Sequence, residues 1–247
     1  MMDVLILAGG KGTRLAELTL ETPKGLARIG DRPILWHIMQ IFARQGHRRF
    51  ILCVGYEGHQ IGTWFEQNPE PGWEVIISNG GVEATKSERV QRALKHVRTD
   101  RFWLSYGDDL SDVDLARVDT MARATESVVT LTAVQPFSPF GVMNLDEDGR
   151  VRGFSEKSRM KEWINGGFMS VSTAIAERLH LGELEKEVFE ALVAEGRLNA
   201  CRHEGFWKAM NTHKEYLELN EMQRRGEQLW VLGLGESVST VQGAERP

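Results

Sequence analysis

Cysteine is scarce in this 247-residue chain: Cys53 and Cys201 are the only two, far apart and without metal-ligand spacing. That pattern excludes a cysteine-based metal motif, and Cys53, inside the apolar run 50–54, reads as a buried thiol. A basic excess is missing as well, with 30 Lys and Arg against 35 Asp and Glu and a formal net charge of −5. A general nucleic-acid surface needs the opposite balance, so nucleic acid is not an expected partner. No apolar run approaches membrane-spanning length, and Met1-Met2-Asp3 lacks the basic start of a secretory signal. The expectation is a cytoplasmic protein without membrane contact. Internal repeats, low-complexity tracts and interdomain linkers are absent too. What remains, 41% hydrophobic and 26% charged residues, is ordinary for a globular chain long enough to bury one large α/β core.

Apolar runs at 4–7, 50–54, 75–77, 102–106 and 128–133 read as strands. Segments 33–44, 59–66, 87–97 and 112–125 between them carry helical spacing. In the first, Ile34, His37, Ile38, Ile41 and Phe42 form one stripe, with Pro33 at the first helical position. Alternation at this rhythm predicts an α/β fold with a doubly wound, mostly parallel, Rossmann-like sheet, whose ligands bind outside the carboxyl ends of the strands. The second half is less regular: a hairpin over 142–146 and 151–156, a strand at 168–172, a helix at 184–194 ended by Gly196, and a charged helix at 213–225. Residues 233–247 lack aromatics and periodicity and read as a frayed tail.

The most informative segment follows the first strand. Val4-Leu5-Ile6-Leu7-Ala8 runs into Gly9-Gly10-Lys11-Gly12-Thr13-Arg14, with Pro23-Lys24 close behind. Without a Cβ, glycines let backbone N–H groups crowd around an anion. Arg14 and Lys24 add side-chain charge suited to phosphate oxygens. Two other phosphate motifs are excluded: no Gly-Lys-Ser/Thr closes a P-loop, and Leu15 stands where the dinucleotide fingerprint needs a glycine. The rival reading is a plain glycine turn with two solvated cations. Asp108 follows the strand at 102–106, so fold logic carries it to the same sheet end.

Ala8-Gly9-Gly10-Lys11-Gly12-Thr13-Arg14-Leu15 with Pro23-Lys24 resembles the signature of the sugar-phosphate nucleotidyltransferase family. Further blocks are similar to glucose-1-phosphate cytidylyltransferases, in that family's order, over roughly residues 3–230. They are 30–39, Tyr106-Gly107-Asp108-Asp109-Leu110-Ser111-Asp112-Val113-Asp114, Glu156-Lys157, Trp163-Ile164-Asn165-Gly166-Gly167-Phe168 and 205–212. The resemblance implies one domain over 1–232, with a nucleotide half near 1–135 and a small β-rich acceptor half near 136–232. It implies transfer of CMP from CTP onto a sugar 1-phosphate such as glucose 1-phosphate, release of pyrophosphate, Mg²⁺ as cofactor and a homo-oligomer, although no heptad or large apolar patch is visible. Leu7, Ala8, Gly9, Gly10, Lys11, Gly12, Thr13, Arg14, Lys24, Arg89, Gly107 and Asp108 would bind the nucleotide. Glu156, Lys157, Asn165 and Gly166 would bind the acceptor. Arg14, Lys24 and Lys157 would carry catalysis by positioning and charge neutralisation, and Asp108 would hold the metal.

Each assignment has a plainer rival. Asp109, Asp112 and Asp114 are alternative metal ligands, and Asp112 and Asp114 equally suit helix N-capping. Lys157 can be solvated beside Glu156, Asn165 can be a turn residue, Arg89 a surface arginine, and the tryptophans core. Two departures from the family stand out. Asn211 occupies the place of a second acidic metal ligand, and Lys86-Ser87-Glu88 replaces glycines before Arg89. An amide offers a carbonyl but no charge to a cation. These changes leave two rivals open: the same transfer onto another phosphorylated or phosphonylated metabolite, and a nucleotide-binding regulator without turnover.

Overall fold

A computed structural model of the chain describes residues 1–10, 12 and 22–230; Lys11, Thr13, Arg14 and the expected tail at 233–247 lie outside the described residues. The strands are β1 (Val4–Ala8), β2 (Arg28–Ile29), β3 (Arg32–Pro33), β4 (Arg49–Val54), β5 (Glu74–Asn79), β6 (Arg101–Tyr106) and β7 (Asp109–Ser111), then β8 (Val129–Val134), β9 (Val142–Leu145), β10 (Val151–Ser155), β11 (Ile164–Ser172), β12 (Leu198–Arg202) and β13 (Trp207–Ala209). The α-helices are α1 (Ile34–Arg44), α2 (Gly58–Gln67), α3 (Lys86–Ala93), α4 (Leu115–Ala124), α5 (Phe189–Ala194) and α6 (His213–Arg224). Seven strands form the central sheet in the order β12-β8-β11-β6-β1-β4-β5. Within it β11 alone runs antiparallel to its neighbours β6 and β8; the other pairings are parallel.

Strand periodicity divides the core. Val4 and Ile6, with Phe50, Leu52 and Val54, face one side of the sheet, under α1, α2 and α4. Leu5, Ile51 and Cys53 face the other, where Val90 of α3 and Leu192 of α5 pack. Both faces are covered, so the central strands are apolar throughout, as a buried parallel sheet requires. The stripe of α1 is buried along its length, His37 included. Burial pushes the His37 imidazole below its ordinary value, and its Nε2 lies 2.9 Å from the Ile29 carbonyl.

Two expectations are corrected, and the structure adds elements that were not expected. The helix expected from 112 starts at Leu115, because Asp114 is its N-cap and accepts a hydrogen bond from the Arg117 amide at 3.0 Å. The helix expected over 184–194 opens with a π-helical turn, Leu184–Val188. The short ladders β2–β3 and β7–β13 and the strand β12 were not anticipated. The hairpin is there as β9–β10, but neither of its faces packs: Phe137, Phe140, Met143, Leu145, Val151 and Phe154 are exposed in and around it. An alternating pattern suggests one buried face, and it does not say whether anything lies against it. Among the described residues no helix is long and apolar enough to cross a membrane.

Candidate active site

The sheet order places β1 between β6 and β4. Leu7 pairs with Tyr106, so the Gly9-Gly10 turn and the Gly107-Asp108 turn leave the sheet side by side. A Cβ on Gly107 would sit 2.9 Å from the Leu7 carbonyl oxygen, which is why glycine is needed there. The next residues open β7, which pairs antiparallel with β13, Asp109 opposite Ala209. The Met210 amide donates to the Asp108 carbonyl at 2.8 Å. That short ladder delivers Asn211 to Asp108 across more than a hundred residues of sequence. Thr212 and Glu215 then form a capping box that starts α6, and the Glu215 carboxylate also accepts from the Asn211 amide at 2.8 Å.

Lys24 ties the two sides together. Pro23 is extended and a 3₁₀ turn, Lys24–Leu26, follows it. The Lys24 ammonium lies 2.5 Å from Asp108 Oδ2 and donates to Asn211 Oδ1 at 3.1 Å. The side chains of Lys24 and Asp108 are 17% and 25% exposed, so the pair is only partly screened by solvent. All three line a cavity of about 770 Å³ whose walls also include Leu7, Ala8, Gly9, Gly10, Gly12, Arg89 and Gly107. Thus every expected nucleotide-side residue that the structure describes meets at one cavity.

Arg89 has a role that neither reading anticipated. It is buried, and its guanidinium donates to the carbonyls of Val54 at 2.7 Å and Val82 at 3.2 Å. A Cβ on Gly9 or Gly55 would collide with it. Arg89 is therefore a strut beneath the glycine turn, and burial lowers its pKa from the usual arginine value. Thr85, not a glycine, precedes its helix and forms a capping box with Glu88.

A further wall comes from β11 and β6. Asn165 Nδ2 donates to the Tyr106 hydroxyl at 2.9 Å, while its Oδ1 accepts from the Gly167 amide at 3.0 Å. The turn role and the cavity role of Asn165 thus coexist. Gly166 does not line the cavity; its carbonyl accepts from the Trp207 indole at 2.9 Å. Tyr106 donates to Glu185 Oε1 at 2.6 Å, and Lys86, 4.9 Å above the Tyr106 ring, pairs with the same oxygen at 2.5 Å. Burial, then the Glu185 charge, pushes the Tyr106 phenol well above its ordinary pKa. Asp109 is buried at the base of this wall, and burial followed by the Asp108 charge pushes its carboxyl well above the usual range.

The expected acceptor pair does not reach the cavity. Glu156 and Lys157 are exposed at the end of the unpacked hairpin, where Lys157 has a positive φ of 52° and faces the field of Glu218. Asp112 is likewise remote, 3.0 Å from His203 Nε2. Tyr106, Lys86 and Trp207 were not assigned to the site beforehand, although all three line it, as does Asp109, which was offered only as an alternative metal ligand. The signal for Tyr106 was its place as the last residue of a strand beside the glycine turn. For Trp207 there was none, since a tryptophan in a short apolar run reads as core.

A hard divalent cation suits Asp108 and the Asn211 carbonyl together with phosphate oxygens and water, the usual surroundings of Mg²⁺. Among the described residues no cluster of three or more His, Cys, Asp or Glu could form an all-protein cage.

The sequence model of the family described as Nucleotidyl transferase matches residues 3–225. A probable glucose-1-phosphate cytidylyltransferase of Bacillus subtilis (strain 168) is 34% identical, with 93% of this chain and 99% of that protein covered. The glucose-1-phosphate cytidylyltransferase of Salmonella typhi is 32% identical over 93% of this chain and 98% of its own length. The crystal structure of a putative glucose-1-phosphate thymidylyltransferase from Bacillus anthracis shares the fold at a TM-score of 0.73 and 18% identity, covering 96% of this chain and 98% of that one. With a glycine turn, a lysine and a carboxylate gathered at the carboxyl end of a parallel sheet, and relatives of this kind along nearly its whole length, the chain belongs to the nucleotidyl transferase family and is a nucleotidyltransferase.

Proposed function

We propose that the protein transfers CMP from CTP to the phosphate of a sugar 1-phosphate, glucose 1-phosphate first among them, and releases pyrophosphate. The observation that carries this reading is the Lys24 bridge between Asp108 and Asn211 in the wall of a 770 Å³ cavity that opens beside Gly9 and Gly10. The choice of CTP and of glucose 1-phosphate is supported by the names of two relatives similar over nearly the full length.

In this mechanism an oxygen of the acceptor phosphate attacks the α-phosphorus in line. The new P–O bond forms as the α–β bridging bond breaks, and the electron pair leaves with pyrophosphate. The acceptor is already an anion, so no general base is required. The backbone amides of Gly9, Gly10 and Gly12, with Lys24 and Arg14, bind the polyphosphate and balance the charge that grows on the leaving group. Lys24 exchanges its carboxylate and amide partners for phosphate oxygens. Asp108 and Asn211 would then hold Mg²⁺, which supplies charge neutralisation at the α-phosphate.

The exposed position of Lys157 favours a second acceptor reading, in which another phosphorylated or phosphonylated metabolite takes the place of glucose 1-phosphate. Pyrophosphate release, measured with CTP, UTP, dTTP and GTP against a panel of phosphorylated acceptors, separates these readings. CTP with glucose 1-phosphate supports the first, and CTP with only another acceptor supports the second. Nucleotide binding without turnover leaves a regulator. No nucleotide binding defeats all three.

A further inference from the structure

The cavity wall around Tyr106 and Asn165 satisfies its polar groups internally, with one exception. The Tyr106 hydroxyl donates to Glu185 and accepts from Asn165. Asn165 accepts from the Gly167 amide, Lys86 pairs with Glu185, and the Trp207 indole donates to the Gly166 carbonyl. Asp109 is only 4% exposed and lines the same cavity, yet no described residue donates a hydrogen bond to its carboxyl group or forms an ion pair with it. A carboxyl group accepts hydrogen bonds and, when protonated, also donates one, so one without protein partners in a cavity wall is available to a ligand. The carboxyl oxygens of Asp109 are not among the fully buried unpartnered atoms, so they stay accessible at the cavity they line, and a polar group there without a protein partner marks a place for a ligand.

The position of that group says which ligand. A Cβ on Gly167 would overlap the Asp109 carboxylate and crowd the Tyr106 ring, so the carboxylate rests on the turn that Gly167, at φ +84°, makes in β11. It therefore sits between the Gly107-Asp108 turn and the Asn165, Tyr106 and Trp207 group, all of which line the cavity. The Asp108–Lys24–Asn211 group already provides for the phosphates, which leaves uncharged donors for Asp109. We propose that Asp109 is a specificity-determining residue for the acceptor: its carboxyl group takes the hydrogen bonds of a hydroxyl on a polyhydroxylated, sugar-class phosphate. This inference rests on the nucleotidyl-transfer reading and names the group that selects its second substrate. Lys86 and Glu185 brace the Tyr106 side of the pocket and hold the wall in shape.

The test compares Asp109→Ala and Asp109→Asn with the wild-type protein. The acceptor is whichever of glucose 1-phosphate, mannose 1-phosphate and myo-inositol 1-phosphate the wild type uses fastest, together with its monodeoxy analogues. Expected are an unchanged calorimetric Kd for CTP with Mg²⁺, a thermal midpoint no lower than that of the wild type, and an acceptor KM raised roughly ten- to a hundred-fold in Asp109→Ala. The wild type should reject one monodeoxy analogue, and Asp109→Ala should lose that discrimination. Rescue in Asp109→Asn should be partial, because an amide still presents one carbonyl. An unchanged acceptor KM, or a joint fall of nucleotide affinity and thermal midpoint, overturns the role of Asp109 while leaving nucleotidyl transfer intact. Nucleotide binding without turnover of any acceptor also overturns it. A wild-type protein that binds no nucleotide defeats the functional reading itself.

Discussion

Replacing Lys24 by Met separates folding from catalysis at the centre of the site. The aliphatic stem is preserved, and the substitution removes one ammonium that lies 2.5 Å from Asp108 and 3.1 Å from Asn211. In the free protein the loss is small. The two charged side chains are 17% and 25% exposed, so breaking the pair costs about 1 kcal/mol after solvent screening. For a chain of this size that lowers the thermal midpoint by roughly 2–4 °C. In the transition state the same ammonium faces the growing charge of pyrophosphate. Removing one preorganised donor from such a position costs roughly 3–4 kcal/mol, or about 10²–10³ in kcat. Pyrophosphate release under saturating CTP gives the rate, and a thermal shift on the same preparation gives the stability. Turnover within about threefold of wild type, with the small change in midpoint as expected, would refute the assignment of Lys24 to the phosphates.

Three further outcomes are expected. Asn211→Asp adds a carboxylate beside Asp108, so the Mg²⁺ concentration for half-maximal rate should fall by roughly tenfold; no change places Asn211 away from the cation. Arg89→Met removes the guanidinium hydrogen bonds to the buried Val54 carbonyl and to that of exposed Val82, which costs about 1–3 kcal/mol and lowers the thermal midpoint by roughly 2–12 °C; a variant as stable as wild type with normal nucleotide affinity would contradict the strut beneath the glycine turn. Asp109 gives a pH signature: its folded-state pKa is raised, so the stability it contributes is complete below the ordinary value of 3.8 and is lost as pH rises toward the folded value. Asp109→Asn should accordingly gain stability over wild type as pH increases from about 4 to 7, read by thermal unfolding at each pH, and a constant difference would contradict it.

The parallel sheet was legible because its strands are apolar on both faces and alternate with amphipathic helices. The meeting of Gly9 and Asp108 followed from the rule for strand ends, since the turns after β1 and β6 leave adjacent strands. The ladder that brings Asn211 to Asp108 was opaque, because β7 and β13 hold three residues each and no periodicity survives over that length. The strut role of Arg89 was not legible, for a physical reason: an arginine in the first turn of a helix reads as solvated, and its partners are backbone carbonyls at residues 54 and 82 that carry no side-chain signature. The exposed setting of Glu156 and Lys157 depends on what lies against the hairpin, and an alternating pattern does not encode it.

The central claim is that the glycine turn, with Arg14 and Lys24, binds the polyphosphate of a nucleoside. Calorimetric titration of the wild-type protein and of a double variant, Arg14→Ala with Lys24→Ala, using CTP in the presence of Mg²⁺, tests it most directly. The account predicts association with the wild type and at least about tenfold weaker association with the double variant. No association with any nucleoside triphosphate, or equal association in both proteins, would contradict it.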